Sequence, residues 1–294
     1  MSANLPLKSK KVLSPKLDVI FQAIFGEVGS ERITKRFLQS ILEEKIDTID
    51  LSKSQVLRKE YENDKLGILD IIAKINEKEI CNIEMQIANK EDIIERILYY
   101  WGRIYTRQIK EGEEYKRLEK TIVILIADFK IKSLEKLEYH TKWKIIEEKE
   151  RKIILTDKLE LHIISLAKMR ETEERQIQDE LLDWLYFLEN PKSERVKEKM
   201  EENEELKEAV EKVETMSDDE YMQRIADLRE KAIRDERSSY CTGLHEGEAK
   251  GEKQGEARGE KKAKLETAKK MLEKGIDIET IIEVTGLTKE AILS

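Results

Sequence analysis

The sequence predicts an α/β fold with a central β-sheet, followed by a helical C-terminal region. Two apolar segments that flank Asn76-Glu77-Lys78 predict a β-hairpin. Continuous apolar runs at 121–128 and 159–167 predict buried strands. Further strands are predicted at 53–60 and 139–147. Apolar residues at helical spacing dominate the remaining chain, so helices are expected to cover the sheet.

The hairpin is predicted to join strands at 66–75 and 79–87. A three-residue turn places Ile75 opposite Glu79, whereas a two-residue turn would shift the register by one residue and reverse every side chain. The three-residue turn is favoured because it sends a set of apolar side chains to one face. These are Leu69, Ile71, Ala73, Cys81, Ile83 and Met85.

The other face of the predicted hairpin is polar. The same register places Asp70 opposite Glu84, and alternation along the strand adds Asn82 and Gln86 to that face. Two opposed carboxylates repel each other, and an otherwise apolar hairpin tolerates them most easily if a cation lies between them. Hard oxygen ligands suit Mg²⁺, for which Mn²⁺ can substitute. The alternative is that these residues are ordinary solvated groups on an exposed sheet face.

The order of these motifs resembles the PD-(D/E)XK nuclease superfamily. It is most similar to the Rpn recombination-promoting nucleases, also called PD-(D/E)XK nuclease family transposases. The similarity covers nearly the whole chain, and it rests on the order and spacing of short motifs. They lie at 13–16, 19–26, 64–65, 69–71, 82–86, 98–101, 155–162 and 229–235.

This resemblance implies a restriction-endonuclease-like core with a mixed central sheet. It also implies that Asp70 and Glu84 bind the metal ion, with the backbone carbonyl of Met85 as a further ligand. Gln86 occupies the position of the superfamily's lysine, and with Asp70 and Glu84 it would form the catalytic set. A glutamine can hydrogen-bond at that position but carries no charge.

The function implied by the resemblance is Mg²⁺-dependent hydrolysis of DNA phosphodiesters, associated with recombination or mobile elements. A bound metal would acidify a water molecule and polarise the phosphoryl group. The alternative is a nuclease-derived protein with weak or absent catalysis that acts in nucleic-acid binding or protein assembly. Gln86 keeps this alternative open. RNA is not excluded as the substrate.

A long helix is predicted at 90–110, directly after the E-x-Q strand. Its packed stripe consists of Ile93, Ile97, Trp101, Ile104 and Gln108. An adjacent stripe carries Arg96, Tyr100 and Arg103 at spacings of four and three, which places them on one face. We expect these three side chains to contact nucleic-acid phosphates. The alternative is a solvated charged face.

The N-terminal helix is predicted to start at Ser14-Pro15, because a hydroxyl cap and a proline suit the first helical positions, and to end at Gly26. A second helix is predicted at 30–44. In the first helix, Asp18 is a possible accessory acid of the site. It is equally explained as a first-turn acid that the helix dipole favours.

The charge of the chain is unevenly distributed. The formal net charge is −8, but residues 1–145 carry 27 basic and 24 acidic side chains, whereas residues 146–294 carry 28 and 39. A mildly basic N-terminal half can meet a phosphate backbone. No apolar run approaches membrane-spanning length and no signal-peptide core is present, so we expect a cytoplasmic protein without membrane contact. With only two distant cysteines, a disulfide framework is excluded.

Four segments are predicted: a nuclease-like domain at 1–170, a helical extension at 171–242, a linker at 243–260 and a helical tail at 261–294. Further helices are expected at 174–188, 193–213 and 218–240.

Glycine recurs every fourth residue from Gly243 to Gly259, which predicts a flexible or weakly helical linker. A close helix–helix seam along the glycine face is the alternative. The tail resembles a small helix-turn-helix unit, but its acidity favours packing or partner binding over DNA reading. Homo-oligomerisation through the C-terminal helices is a further expectation.

Overall fold

The computed structural model describes residues 11–52, 71–88, 92–172 and 179–293. Within these residues the strands form a six-stranded sheet of order β1-β2-β3-β4-β6-β5. The strands are β1 (Ile49–Asp50), β2 (Ile71–Ile75), β3 (Glu79–Gln86), β4 (Lys120–Ala127), β5 (His140–Trp143) and β6 (Leu159–Ser165). The predicted strand at 53–60 lies outside the described residues, and the short β1 was not predicted.

The sheet is mixed. β3, β4 and β6 run parallel, whereas β1 and β2 pair antiparallel at one side and β5 pairs antiparallel with β6 at the other. The three parallel strands are buried along nearly their whole length. Burial on both faces explains why β4 and β6 appear in the sequence as nearly continuous apolar runs. The predicted α/β class with a mixed central sheet is confirmed.

The hairpin of β2 and β3 has the predicted register. Ile75 pairs with Glu79, and Ile71 pairs with Ile83. Asn76 and Glu77 in the turn have positive φ angles of 49° and 59°. Asparagine tolerates this conformation, and its side-chain oxygen accepts hydrogen bonds from the backbone N–H groups of residues 47 and 48. A local turn anchored to the preceding loop therefore fixes which side chains of β3 face each way.

One face of the sheet, the core face, carries Ile71, Ala73, Cys81, Ile83 and Met85, as predicted. Helices α1 (Asp18–Phe25), α2 (Glu31–Leu42) and α5 (Glu180–Glu189) contribute to the same core. Five aromatic rings of the described residues meet within it, with centroid separations between 4.7 and 6.4 Å. They belong to Phe21, Phe25, Phe37, Trp184 and Phe187.

The first helix begins at Asp18, three residues after Pro15, which was predicted to be its first helical residue. Residues 14–17 form a turn in which the Leu17 N–H donates to the Ser14 carbonyl. Leu13 and Leu17 are both buried, so the segment follows the core surface before the helix starts. The predicted cap at Ser14 was therefore wrong, whereas α2 matches its predicted bounds within two residues.

Three further helices contribute to the core. Helix α4 (Leu166–Met169) precedes α5 in the chain, and α6 (Glu194–Lys199) and α7 (Glu204–Asp218) follow it. The single helix predicted at 193–213 is two helices. The second of these helices, α7, begins after Asn203. The Asn203 side-chain oxygen accepts the Leu206 N–H at 2.9 Å, which is an N-cap contact.

Helix α3 (Ile93–Thr106) covers the opposite face of the sheet, which we call the site face. Its residues Ile93 and Ile97 pack on Val123, Leu125 and Ala127 of β4. Short 3₁₀ turns at Tyr115–Arg117 and Lys132–Leu134 lie in the loops on either side of β4. The predicted packed stripe of this helix is largely confirmed.

Helix α8 (Glu220–Glu273) is continuous for 54 residues. The chain divides into two compact units, Met1–Ile233 and Arg234–Ser294. The helices after residue 179 share the core of the sheet in the first unit, and the predicted four-segment division remains a prediction from sequence. The glycine segment from Gly243 to Gly259 is helical in the structure. Side chains of residues 234–263 are exposed.

The end of the second unit contains α9 (Ile278–Thr285) and α10 (Lys289–Leu293). Asp277 caps α9 by accepting the Thr280 N–H at 2.9 Å, and Gly286 ends it in the left-handed conformation at φ 67°. Ala268, Ile281 and Ile292 form a small core. The predicted helix–turn–helix order is confirmed. Among the described residues, no helix combines the length and apolarity that crossing a bilayer requires.

Alanine at Gly251 and at Gly255 is expected to stabilise the exposed part of α8 by about 1 kcal/mol each, because glycine disfavours helix by that amount. A Cβ at either position would meet no atom within 4 Å among the described residues. Amide hydrogen exchange across residues 243–259 should slow several-fold in each variant, and Ala249→Gly should accelerate it. Faster exchange in the alanine variants would instead support a close helix–helix seam.

Candidate active site

The site face of β3 carries Asn82, Glu84 and Gln86. Glu84 is 2% exposed and Asn82 is fully buried. Asn82 pairs with Ile72 of β2 and Val123 of β4, and Ile72 packs under Tyr100 of α3. The alternative of an exposed, solvated sheet face is therefore wrong for these two residues. A buried carboxylate and a buried carboxamide need partners that replace water.

Asn82 provides one such partner for Glu84. Its Nδ2 donates a hydrogen bond of 2.9 Å to Glu84 Oε1. The Asn82 Oδ1 atom is buried and has no hydrogen-bond partner among the residues that the structure describes. Leaving a buried acceptor unpaired costs about 1–3 kcal/mol, so such atoms are rare and concentrate where a function requires them. Side-chain alternation predicted that Asn82 lies on this face, whereas its contact with Glu84 was not predicted.

Arg96 supplies positive charge near Glu84. Its guanidinium lies 5.7 Å from the centre of the Tyr100 ring, and its Nη2 donates to the Tyr100 hydroxyl at 2.8 Å. Burial opposes the charge of Arg96, but the Tyr100 hydroxyl and the Glu84 carboxylate together raise the pKa of its guanidinium. Arg96 therefore remains protonated beside the buried carboxylate.

The other predicted nucleic-acid contacts on α3 differ in exposure. Tyr100 is only 6% exposed and packs with Ile72 and Ile104, so its ring belongs to the layer over the sheet and is not available to a phosphate backbone. Arg103 is half-buried, and the neighbouring Tyr99 is 52% exposed. Helical spacing placed the stripe correctly but did not show which of its side chains the sheet would cover.

Gln86 lies at the C-terminal end of β3, half-buried, and its carbonyl accepts the Asp128 N–H at 2.9 Å. The Asp128 carboxylate receives Lys16 at 3.0 Å and Arg170 at 2.7 Å, and Glu189 binds the same two cations. This ion network holds together the ends of β3 and β4, the turn before α1, and helices α4 and α5. Sequence reasoning missed it because its members are far apart along the chain.

Asp18, the predicted accessory acid, forms a close ion pair with Arg229 of α8. Its Oδ1 also accepts the Val19 N–H at 2.9 Å, which is a first-turn contact at the start of α1. These contacts agree with the alternative explanation of Asp18 as a helix N-terminal acid. Met85 points to the core face, where its side chain is buried.

Asp70, the second predicted carboxylate, lies outside the described residues. Within the described part of the chain, no group of three His, Cys, Asp or Glu side chains is placed to hold a metal ion. The described donors nevertheless fit a hard cation in type, because Glu84 offers a carboxylate and Asn82 offers an unpaired amide oxygen.

The mixed sheet, with its E-x-Q strand at the centre and a buried glutamate under an arginine-bearing helix, defines a nuclease-like α/β protein. Residues 15–243 match the model of the PD-(D/E)XK nuclease family transposases. The chain therefore belongs to this family, and the resemblance noted in the sequence is confirmed. Residues 261–294 match the C-terminal HTH domain of the Rpn/YhgA-like nuclease family. No curated protein and no solved structure matches the chain.

A second polar cluster lies on the core face at the opposite side of the sheet. His162 Nε2 is 3.0 Å from Glu160 Oε1, and His162 Nδ1 is 2.9 Å from His140 Nε2. Glu160 and His162 are each 1% exposed. Lysines surround Glu160, with Lys142 at 3.0 Å and Lys144 at 3.3 Å. If both histidines are neutral, His140 Nε2–H can donate to His162 Nδ1, and His162 Nε2–H can donate to Glu160 Oε1.

This cluster should make folding stability depend on pH. Burial and the neighbouring His162 lower the pKa of His140 to about 4, whereas an unfolded chain titrates histidine near 6.5. Burial opposes the charge of Glu160, but hydrogen bonds from His162 and Lys142 hold the pKa of that carboxyl below its ordinary value. Between pH 6.5 and 4 the unfolded state binds more protons, so stability falls as the pH falls.

We expect His140→Gln to remove part of this loss, about 1–2 kcal/mol after allowance for the partial exposure of His140. The measurement is urea unfolding of wild type and variant at pH 7.5 and pH 4.5. The matched control is His245→Gln, because His245 is largely exposed on α8. An equal pH-dependent loss in wild type and His140→Gln would contradict the prediction.

Proposed function

We propose that the protein is a Mg²⁺-dependent DNA endonuclease that acts in transposition or recombination. The observation that supports this most strongly is the register of the hairpin, in which Ile71 pairs with Ile83. In the sequence Asp70 directly precedes Ile71 and Glu84 directly follows Ile83, which is the spacing on which the proposed pair of carboxylates rests. Family membership supports a nuclease associated with transposition. The metal, the DNA substrate and the catalytic residues are proposed.

Asp70 and Glu84 are the proposed metal ligands, with the Met85 carbonyl as a third. A bound divalent ion would supply an acidified water and would polarise the scissile phosphate. Gln86, at the end of β3, is proposed to orient the attacking water or the phosphate by hydrogen bonding. Asp18 is left out of this set because Arg229 and the α1 N-terminus already engage its carboxylate.

Arg96 and Arg103 are the proposed DNA contacts on α3. Arg96 is held against Tyr100 beside Glu84, so its charge is fixed close to where the scissile phosphate would lie. In this proposal Tyr100 supports Arg96 from within the packed layer, and it does not meet the DNA with its ring. The match of the tail to an HTH domain also supports a nucleic-acid partner, against the preference for packing or partner binding that the acidity of the tail suggested.

The second candidate function is a nuclease-fold protein that binds or assembles without efficient cutting. Two observations favour it: the neutral Gln86 replaces a cationic residue, and the fixed charge of Arg96 can neutralise Glu84 without a metal ion. Metal binding separates the two functions, since only the endonuclease requires it.

Nicking of supercoiled plasmid with Mg²⁺ or Mn²⁺ tests the proposed reaction. Glu84→Gln and Asp70→Asn should each reduce the rate by about 100-fold or more, because each removes a proposed charged ligand. Glu119→Gln is the matched control, since Glu119 pairs with Lys74 at 3.0 Å and has no proposed role. Equal cutting by all four proteins would remove the site assignment, and a folded but inactive wild type would favour the second function.

Arg96→Gln and Arg103→Gln should weaken DNA binding without unfolding the protein. Loss of a phosphate contact lowers affinity about uniformly across sequences and reduces the slope of log affinity against log salt by about 1. Fluorescence anisotropy with catalytically impaired Glu84→Gln as the background measures both quantities. Arg117→Gln serves as the control, because Arg117 is exposed and pairs with Glu113. An unchanged salt slope in both variants would exclude these contacts.

A further inference from the structure

Asn82 is the best candidate for an additional functional residue. It is fully buried on the site face, between Ile72 and Val123 and two residues from Glu84. An apolar residue would satisfy this position in a purely structural strand, because both cross-strand neighbours are apolar. The sequence instead places a carboxamide there, with one end bonded and the other end unpaired.

The bonded end acts on Glu84. The 2.9 Å hydrogen bond from Asn82 Nδ2 occupies Glu84 Oε1 and fixes the rotation of the carboxylate. A carboxylate ligand that is oriented by such a bond presents its remaining lone pairs in a set direction, and residues that orient ligands in this way tune metal affinity.

The unpaired end is a buried oxygen acceptor on the site face. No donor to Asn82 Oδ1 is found within residues 11–52, 71–88, 92–172 and 179–293. Mg²⁺ in proteins keeps several of its waters, and metal-bound waters are strong donors that need acceptors. The Asn82 amide oxygen could therefore accept a hydrogen bond from a water bound to a cation at Glu84.

We propose that Asn82 is a positioning residue of the metal site, which orients Glu84 through Nδ2 and accepts a hydrogen bond from a metal-bound water through Oδ1. This inference rests on the proposed nuclease function, and it adds a residue to the site that the E-x-Q motif does not contain. Asn82 touches the ligand and the water, and it is not itself a catalytic residue.

Calorimetric titration of the protein with Mn²⁺ tests this role without relying on activity. Asn82→Leu removes both the donor and the acceptor, and we expect it to weaken Mn²⁺ binding by about 10- to 100-fold. Asn82→Asp keeps the acceptor but sets a second carboxylate beside Glu84. Like charges raise the pKa of a carboxyl pair, so the pH midpoint of Mn²⁺ binding should rise in this variant, with affinity recovering at higher pH.

The matched control is Thr121→Val. Thr121 is fully buried on the same face, and its Oγ1 accepts a 2.8 Å hydrogen bond from Gln108 Nε2. Its replacement disrupts a comparable polar contact without touching Glu84, so Mn²⁺ affinity should stay at the wild-type value. Circular dichroism confirms that each variant is folded before titration.

The outcomes separate this inference from the function on which it rests. If Glu84→Ala loses Mn²⁺ binding while both Asn82 variants bind like wild type at every pH, the role of Asn82 is overturned and the metal site stands. If wild type binds no Mn²⁺, or Glu84→Ala binds it equally well, the metal site itself is wrong and the inference fails with it. A loss in Thr121→Val as large as that in Asn82→Leu would show a structural effect and would also overturn it.

Discussion

The position of β3 inside the sheet is the constraint on which the rest of the structure depends. Strands pair with it on both sides, and packed layers cover both of its faces. Any polar side chain on β3 is therefore removed from water and must find a partner within the protein. Glu84 finds Asn82 and lies near the charge of Arg96, whereas Cys81, Ile83 and Met85 on the other face of β3 pack in the apolar core. The site exists because polar residues interrupt an otherwise core-forming strand.

Most features that depend only on residues close together in the chain were predicted correctly from the sequence. The hairpin register follows from a three-residue turn and from the alternation of side chains, and both operate within about ten residues. The tail was predicted for the same reason, because Asp277 and Gly286 cap its helix with their own groups. The glycine segment was less predictable: helix propensity disfavours it, but residues 220–273 are helical in the structure.

The environment of the site was not predictable to the same degree, because it depends on contacts between distant segments. Helical periodicity identified the stripe of α3 but could not show that Tyr100 would lie over Ile72 and become buried. The network at the end of β3 joins Lys16, Asp128, Arg170 and Glu189, which no local pattern relates. Ion pairs of this kind form wherever the fold brings the charges together, and only the three-dimensional structure shows where that occurs.

The charges around β3 also bear on the absence of a positive charge at Gln86. In a site whose cation came from the E-x-K position, replacing lysine by glutamine would leave the carboxylates without a positive neighbour. Here Arg96 carries a fixed charge beside Glu84 from α3, and Lys16 and Arg170 lie in the network that holds the end of β3. Positive charge thus reaches Glu84 from α3, whereas Lys16 and Arg170 are paired with the carboxylates of Asp128 and Glu189. A hydrogen-bonding glutamine is compatible with such surroundings, because the role proposed for Gln86 is to orient a water or a phosphate, which needs no charge.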